Sequence, residues 1–386
     1  MHFEKANFKY DHKYLDNYFL KEYSMDRIEK DYFKYLDFDY FISADKKEAD
    51  ELENLISEID KIILKAYSFY YENLEDNLYR FYPFLRHFHK KYPVNHHFIW
   101  RYDILIDKDW VYKFLETNAN TPWMITEIYN IWKMQRPAWY ANQGSRYEKY
   151  TKKFFKKYKW KKIWILLAYS FEDEDYLIWI DYLKMIWEVV WEENVIIWDI
   201  FESNIVDDKE FYLKWEKLDV ILSFFPLEFF LSDLDFSEWF FNVIAAWWCI
   251  LHNPIESIVL QDKLIFAVIY ENLNRYTKNQ QLLIKKHIPF TTREFQDDED
   301  KYIMKARFWR ISRDVFDKWF YSNVWESWEF IFQEKIESKI QTTEWDFMVL
   351  GWFTNYKKPI CLIWRRWKQL ITKDENTNIT LLYLNK

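Results

Sequence analysis

Glycine is almost missing from this chain, with 2 residues in 386, Gly144 and Gly351. An average chain of this length would hold roughly 27. No glycine-lysine loop of the Walker kind is present, which disfavours a P-loop enzyme. Cysteine is equally scarce: Cys249 and Cys361 lie far apart, giving neither a disulfide framework nor a metal knuckle, and a reducing compartment is expected. Positive charge is not in excess either. A formal net charge of −8 argues against a nucleic-acid sheath, which would carry a basic field. Apolar runs such as Phe241–Leu251 fall far short of the ~20 residues a bilayer needs, and the charged start Met1–Tyr14 has no apolar signal core. The expectation is a soluble cytoplasmic protein with neither nucleic acid nor membrane as partner. No Cys–His or Ser–His constellation marks a covalent nucleophile.

What is present in excess is tryptophan, 23 residues. Glycine and tryptophan together come close to the glycine count of an average chain. Several tryptophans also stand where glycine chemistry is wanted. Asp109-Trp110 occupies a hairpin tip, where Asp-Gly is the usual signal because the turn needs positive φ. Trp191 follows the helical run Tyr182–Val190, at the place of a glycine that ends a helix. Arg366-Trp367-Lys368 forms a tip between two strand-like runs. These positions point to a host that reads UGA as glycine, with tryptophan written in conceptual translation. The alternative takes the tryptophans literally, as the stacking surface of a carbohydrate- or partner-binding protein. It requires them to cluster on one exposed face.

The chain is organised around residues 98–127. Two runs with strand-like alternation, Phe98–Ile106 and Val111–Asn118, flank a polar tip and read as a β-hairpin. A two-residue loop at Asp109 and Trp110 sets Asp103 opposite Glu116 and Arg101 opposite Asn118. Side chains alternate with period two, so these four polar groups share one face. Directly opposed residues have Cβ atoms roughly 5 Å apart, near enough for two carboxyl groups to hold one hard cation. A solvated polar face is the other reading of the pattern, and both stand on pattern alone.

Taken in order, Ala49–Asn73 carries Leu52, Leu55, Ile56, Ile59, Ile62, Ile63 and Ala66 at helical spacing, an amphipathic helix expected to cover the sheet. Residues 162–232 change character. The runs Ile163–Ala168, Val195–Ile200 and Val220–Phe225 read as strands and Asp175–Val190 as a helix, a small α/β unit with parallel strands. Glu228 follows the last of these strands, where open α/β sheets bind ligands, though a lone acid is more often plain surface. Lys263 stands near the start of a helical run, Gln261–Asn272, and Lys305 in the strand-like Tyr302–Lys305. The tail is β-rich, with runs at Glu329–Glu334, Phe347–Phe353, Pro359–Trp364, Gln369–Thr372 and Ile379–Leu384.

Six short motifs, in order from about residue 100 to 372, resemble the synthetase domain of the glutathionylspermidine synthase family of ATP-grasp ligases. They are Trp100-Arg101-Tyr102-Asp103 with Glu116-Thr117-Asn118-Ala119-Asn120-Thr121-Pro122; Pro226-Leu227-Glu228-Phe229; Asn253-Pro254-Ile255-Glu256-Ser257 with Asp262-Lys263-Leu264; Lys305 to Ser312; Ile331-Phe332-Gln333-Glu334-Lys335; and Trp364-Arg365-Arg366 with Leu370-Ile371-Thr372. In two of them a family glycine falls on Trp100 and Trp309. The chain departs from the pattern at Ala306, Ile311 and Ser312 in the loop after Lys305, at Asn120, and at Arg366.

The resemblance implies an α+β chain with the ATP-grasp fold and a small α/β unit. It divides into residues 1–161, a helical region with the metal-binding hairpin; 162–232, the α/β unit; and 233–386, a nucleotide-binding lid with a β-rich core. It implies an ATP-dependent ligase that joins a peptide-like carboxylate to an amine or polyamine through an acyl phosphate, with ATP and Mg²⁺ as cofactors. Asp103, Glu116 and Asn118 would hold the metal; Lys263, Lys305 and Gln333 the nucleotide. Arg101, Arg310 and Arg365 would surround the transferring phosphoryl group, Thr121 the acyl substrate and Glu228 the amine. A degenerate relative that binds but does not turn over is the remaining possibility within this resemblance.

Overall fold

The apolar stripe on the first long helix is where the fold begins. Lys46–Tyr71 is closed at its start by a capping box: Asp45 accepts from the Glu48 backbone N–H at 2.8 Å, and Glu48 accepts from that of Asp45 at 3.2 Å. Its buried face, including Leu52, Ile56, Ile59, Ile63, Ala66 and Tyr70, joins the main hydrophobic core. Within that stripe sits one buried acid, Asp60. Tyr102 and Thr354 on the neighbouring sheet donate hydroxyls to it at 2.7 and 2.8 Å. The helix therefore covers the sheet, as the spacing predicts, and two hydrogen bonds satisfy the carboxyl that would otherwise be stranded there.

This computed structural model describes residues 2–5, 40–80, 82–87, 99–120, 122, 140–167, 182–199, 203–206, 210–213, 216–226, 240, 242, 244, 249–294, 296, 298, 300–308, 315–316, 329–338, 347–355, 358–367 and 378–385. The run Gln369–Thr372 and the residues Thr121, Glu228, Trp309 and Arg310 lie outside the described residues. Arg365 is described in its backbone alone.

Four sheets are present among the described residues. The largest has eight strands. Its order runs His2–Lys5, Tyr40–Ala44, Asn378–Asn385, Lys358–Trp367, Phe347–Asn355, Trp100–Ile106, Tyr112–Asn118, with Tyr140–Asn142 beside Asn378–Asn385. The central hairpin thus forms one end of a sheet completed by the C-terminal strands. A parallel sheet follows the order Ile250–His252, Val220–Ser223, Ile163–Leu167, Val195–Asp199. The three runs expected between 162 and 232 are its strands, and Ile250–His252 adds a fourth. Its short length hid it from the pattern of the sequence. Ser203–Val206, Glu210–Leu213 and Glu216–Lys217 form a small antiparallel sheet. The last sheet orders Thr291–Thr292, Phe330–Glu334, Tyr302–Ala306, Val315–Phe316, all antiparallel.

Four local expectations need correction. The hairpin loop has three residues, not two. Trp110 donates to the Asp107 carbonyl at 3.0 Å, the Asp107 N–H donates to the Val111 carbonyl at 2.9 Å, and Trp110 takes φ 62°. This is a tight turn closed by a left-handed residue, the second commonest hairpin loop. The helical run at Gln261–Asn272 is broken near its start. Gln261 ends a short helix, Ser257–Gln261, and Asp262 is extended. The next helix is Leu264–Glu271, with Lys263 as its cap residue. The break occurs because Asp262 turns its carboxylate to the Leu264 N–H, at 2.9 Å, and to Arg307. Finally, Trp191 has φ −64°, so no left-handed residue ends the preceding helical stretch there. Trp367 is likewise the last residue of a strand, paired with Phe347, and not a turn tip.

Candidate functional site

The hairpin places Arg101 opposite Asn118 and Asp103 opposite Glu116. It reaches that register by two irregularities that cancel. The extra loop residue shifts the outer pairing by one, so that Ile104 faces Phe114. A bulge at Leu115 then shifts it back between Ile104 and Asp103. The four polar groups therefore stand together at the end of the hairpin remote from its loop.

On the neighbouring strand Gly351 pairs with Asp103, and Val349 with Leu105. Arg365 pairs in turn with Val349, which fixes its backbone two rows along from the Asp103 row.

These groups form a dense set of charges. Arg101 grips Asp103 at two points, Nε to Oδ1 at 2.8 Å and Nη2 to Oδ2 at 3.3 Å, and both side chains are more than nine-tenths buried. Lys263 Nζ lies 3.7 Å from a Glu116 carboxylate oxygen. Lys305 donates to Gln333 Oε1 at 2.7 Å. The Gln333 amide donates to the Leu115 carbonyl at 3.1 Å and to Thr291 at 3.2 Å, which ties the Tyr302–Ala306 sheet to the bulge of the hairpin. Burial pulls the Lys305 ammonium down to about 8. Lys263 pushes the same way, while Glu116 and Asp103 oppose it. Arg101, Lys263 and Lys305 thus face two carboxylates, and the cluster carries more positive than negative charge. Asn118 adds a buried amide nitrogen with no hydrogen-bond partner.

Seven of the expected site residues are thereby brought together: Arg101, Asp103, Glu116, Asn118, Lys263, Lys305 and Gln333. No group of three or more His, Cys, Asp or Glu side chains that could hold a metal ion exists among the described residues. The oxygen donors available to a cation are the two carboxylates and the Asn118 amide, a set that suits a hard ion which keeps most of its own water or phosphate ligands. The unpaired Asn118 amide and the surplus of lysine ammonium suit a polyphosphate carried with such an ion.

Other residues hold the site in place, and no spacing announces them. The segment just past Asn118 is clamped from the Asn253–Gln261 region. Asn253 donates to the carbonyls of Ala119 at 2.7 Å, Asn120 at 3.1 Å and Ile99 at 3.2 Å. Gln261 accepts from the Ala119 N–H at 3.0 Å, Asn120 donates to Ser257 at 3.1 Å, and Thr117 donates to the Leu260 carbonyl. A buried group of Tyr70, Asp262 and Arg307 lies behind the lysines.

No described protein family matches the sequence, and no curated protein does. Similarity appears at the level of solved structures. A glutathione synthetase-like effector from Globodera pallida, solved in apo form, superposes with a TM-score of 0.54 at 12% identity, over 89% of this chain and 88% of that one. The chain shares its overall fold with that effector. A putative gamma-glutamylcysteine synthetase from Methylobacillus flagellatus KT aligns with a TM-score of 0.45 and 10% identity over 85% of each chain. No helix among the described residues is long and apolar enough to cross a membrane.

Proposed function

We propose that this chain is an ATP-dependent carboxylate–amine ligase of the ATP-grasp type, similar to glutathionylspermidine synthase in the reaction it performs. The observation that carries the reading is the meeting of Asp103, Glu116 and Asn118 on the hairpin with Lys263, Lys305 and Gln333 from the opposing segments. A triphosphate with its Mg²⁺ would convert an unreactive carboxylate into an acyl phosphate that an amine can displace. Asp103, Glu116 and Asn118 hold the metal in this scheme. Lys263 and Lys305 bind the phosphates, and Gln333 orients the Lys305 ammonium by accepting a hydrogen bond from it. In this scheme Arg101 follows the charge that develops on the phosphoryl oxygens, together with Arg310 and Arg365. Thr121 and Glu228 are assigned to the acyl substrate and the amine, on the motif alone. The buried surroundings of Arg101 and Lys305 exclude water, which lengthens the life of an acyl phosphate.

The substrates proposed are a peptide-like acid and an amine or polyamine. The test is Mg²⁺- and ATP-dependent phosphate release against a panel of short peptides and polyamines, with Glu116→Ala as control. Release that rises with a substrate pair and disappears in the variant supports the ligase. Tight nucleotide binding without stimulated release by any pair points to a degenerate relative. Absence of nucleotide binding overturns the proposal.

A further inference from the structure

Lys263 and Lys305 come from segments 42 positions apart in sequence, yet Lys263 stands 3.7 Å from Glu116 and the field of that same carboxylate acts on Lys305. What fixes their spacing lies behind them. Asp262 immediately precedes Lys263, and Arg307 follows Lys305 by two residues. Both are buried, at 0% and 2% exposure. Arg307 Nε donates to Asp262 Oδ1 at 3.0 Å, and its Nη2 donates to Oδ2. The carboxylate also accepts from the Tyr70 hydroxyl at 2.6 Å and from the Leu264 N–H at 2.9 Å. The guanidinium reaches on to the Asn77 carbonyl, which lies 2.8 Å from the Tyr70 hydroxyl oxygen. A direct backbone tie, the Lys263 N–H to the Arg307 carbonyl at 3.2 Å, completes the join. Three separate segments meet at this one ion pair: the end of the long helix, the cap of the Leu264–Glu271 helix, and the strand that carries Lys305.

We propose that Asp262 and Arg307, braced by Tyr70, are positioning residues that set Lys263 and Lys305 at the separation a triphosphate requires. The inference rests on the ligase reading above. A fully buried ion pair is not needed for stability, since apolar side chains of similar volume often do as well. What apolar packing cannot supply is direction. Two oxygens and a planar guanidinium with five N–H groups allow few arrangements, so this pair fixes rotation as well as distance. Arg307 is attached at its backbone to the Glu329 carbonyl, so the pair is also tied to the sheet of Tyr302–Ala306 and Phe330–Glu334.

The test is a thermodynamic cycle on nucleotide affinity, measured by calorimetric titration of the full chain with Mg-ATP. One arm is Asp262→Asn with Arg307→Met, which removes both charges together and keeps an acceptor for the Leu264 N–H. The other is Lys263→Met, made alone and in the neutral-pair background. The expected result is a neutral pair that melts near wild type but binds ATP about tenfold more weakly or worse. Lys263→Met should weaken binding in the wild type and add little in the neutral pair, because the lysine is already misplaced. Losses that add, or a neutral pair that binds like wild type, overturn the inference. If the neutral pair does not fold, Tyr70→Phe replaces it in the same cycle under the same criterion, because it removes one donor without unbalancing charge. If Lys263→Met leaves wild-type binding unchanged, the ligase reading has misassigned the lysine and the inference falls with it.

Discussion

Arg101 and Asp103, two residues apart on one strand, form a two-point ion pair at 2.8 and 3.3 Å in a site almost closed to solvent. The carboxylate assigned to the metal is therefore already neutralised by the chain. A bare divalent cation must displace a buried guanidinium, whereas a cation arriving with a polyphosphate offers Arg101 new acceptors. Mn²⁺ alone is expected to bind weakly to the wild type and about tenfold more tightly to Arg101→Leu, followed by electron paramagnetic resonance. Ligase turnover should be lost in the same variant. Equal Mn²⁺ affinity in the two proteins would show that the pair does not guard the site.

Lys305 supplies a second prediction. With its ammonium held to about 8 by burial, it is charged below that pH and loses its proton above it. A triphosphate favours the charged form, so nucleotide binding between pH 8 and the higher value of the complex must take up a proton. Below pH 8 no uptake by this group is expected. Calorimetry in buffers of different ionisation enthalpy measures the uptake, and Lys305→Met should abolish it.

Glu256 bears on stability and not on the site. Burial lifts its carboxyl from 4.5 to about 8. Between these values the folded chain holds a proton that the unfolded chain releases, so the unfolded state binds fewer protons and stability falls as pH rises. The slope amounts to roughly 1.4 kcal/mol for each unit by which the two states differ. Urea unfolding of Glu256→Gln across pH 5 to 8 should show this component flattened.

Trp110 is the residue at which the glycine reading makes a physical demand. Its φ of 62° makes it the one positive-φ residue among those described, with a side chain 60% exposed. Trp110→Gly should stabilise the chain by about 1 kcal/mol, because a side chain with a Cβ pays for the left-handed region. Trp191, at φ −64°, gives no such gain, and Trp191→Gly should be neutral or destabilising by up to about 1 kcal/mol. Denaturant midpoints compare the two. A UGA codon at position 110 would identify the origin of the residue directly.

The contrast between those two tryptophans also marks what could be read from the sequence. Local rules that depend on one residue and its neighbours succeed where the neighbours decide the outcome. Period-two alternation of extended backbone put Arg101 and Asp103 on one face, while the pairing of Asp103 with Glu116 came from an assumed two-residue loop. The loop and the bulge that make this register possible were not visible. Each shifts the pairing by one, and a sequence carries only their sum. The long helix was legible from its stripe, while Asp60 within it found its partners only through Tyr102 and Thr354. Lys263 and Lys305 were placed by resemblance. The Asp262–Arg307 pair behind them had no signature, because 45 positions separate two residues whose charges matter only once buried. The helix expected to begin at Gln261 was broken for the same reason.

The hairpin strand Trp100–Ile106 hydrogen-bonds along its length to Phe347–Asn355, nearly 250 residues further on. Closing so long a loop is entropically costly, and pairings of this kind are made late and slowly. During synthesis the Arg101–Asp103 strand must wait, one edge unpaired, until residues 347–355 have left the ribosome. The floor of the candidate site thus forms only once residues 347–355 have been made, and a nascent chain stopped before residue 347 exposes an open strand edge that invites aggregation.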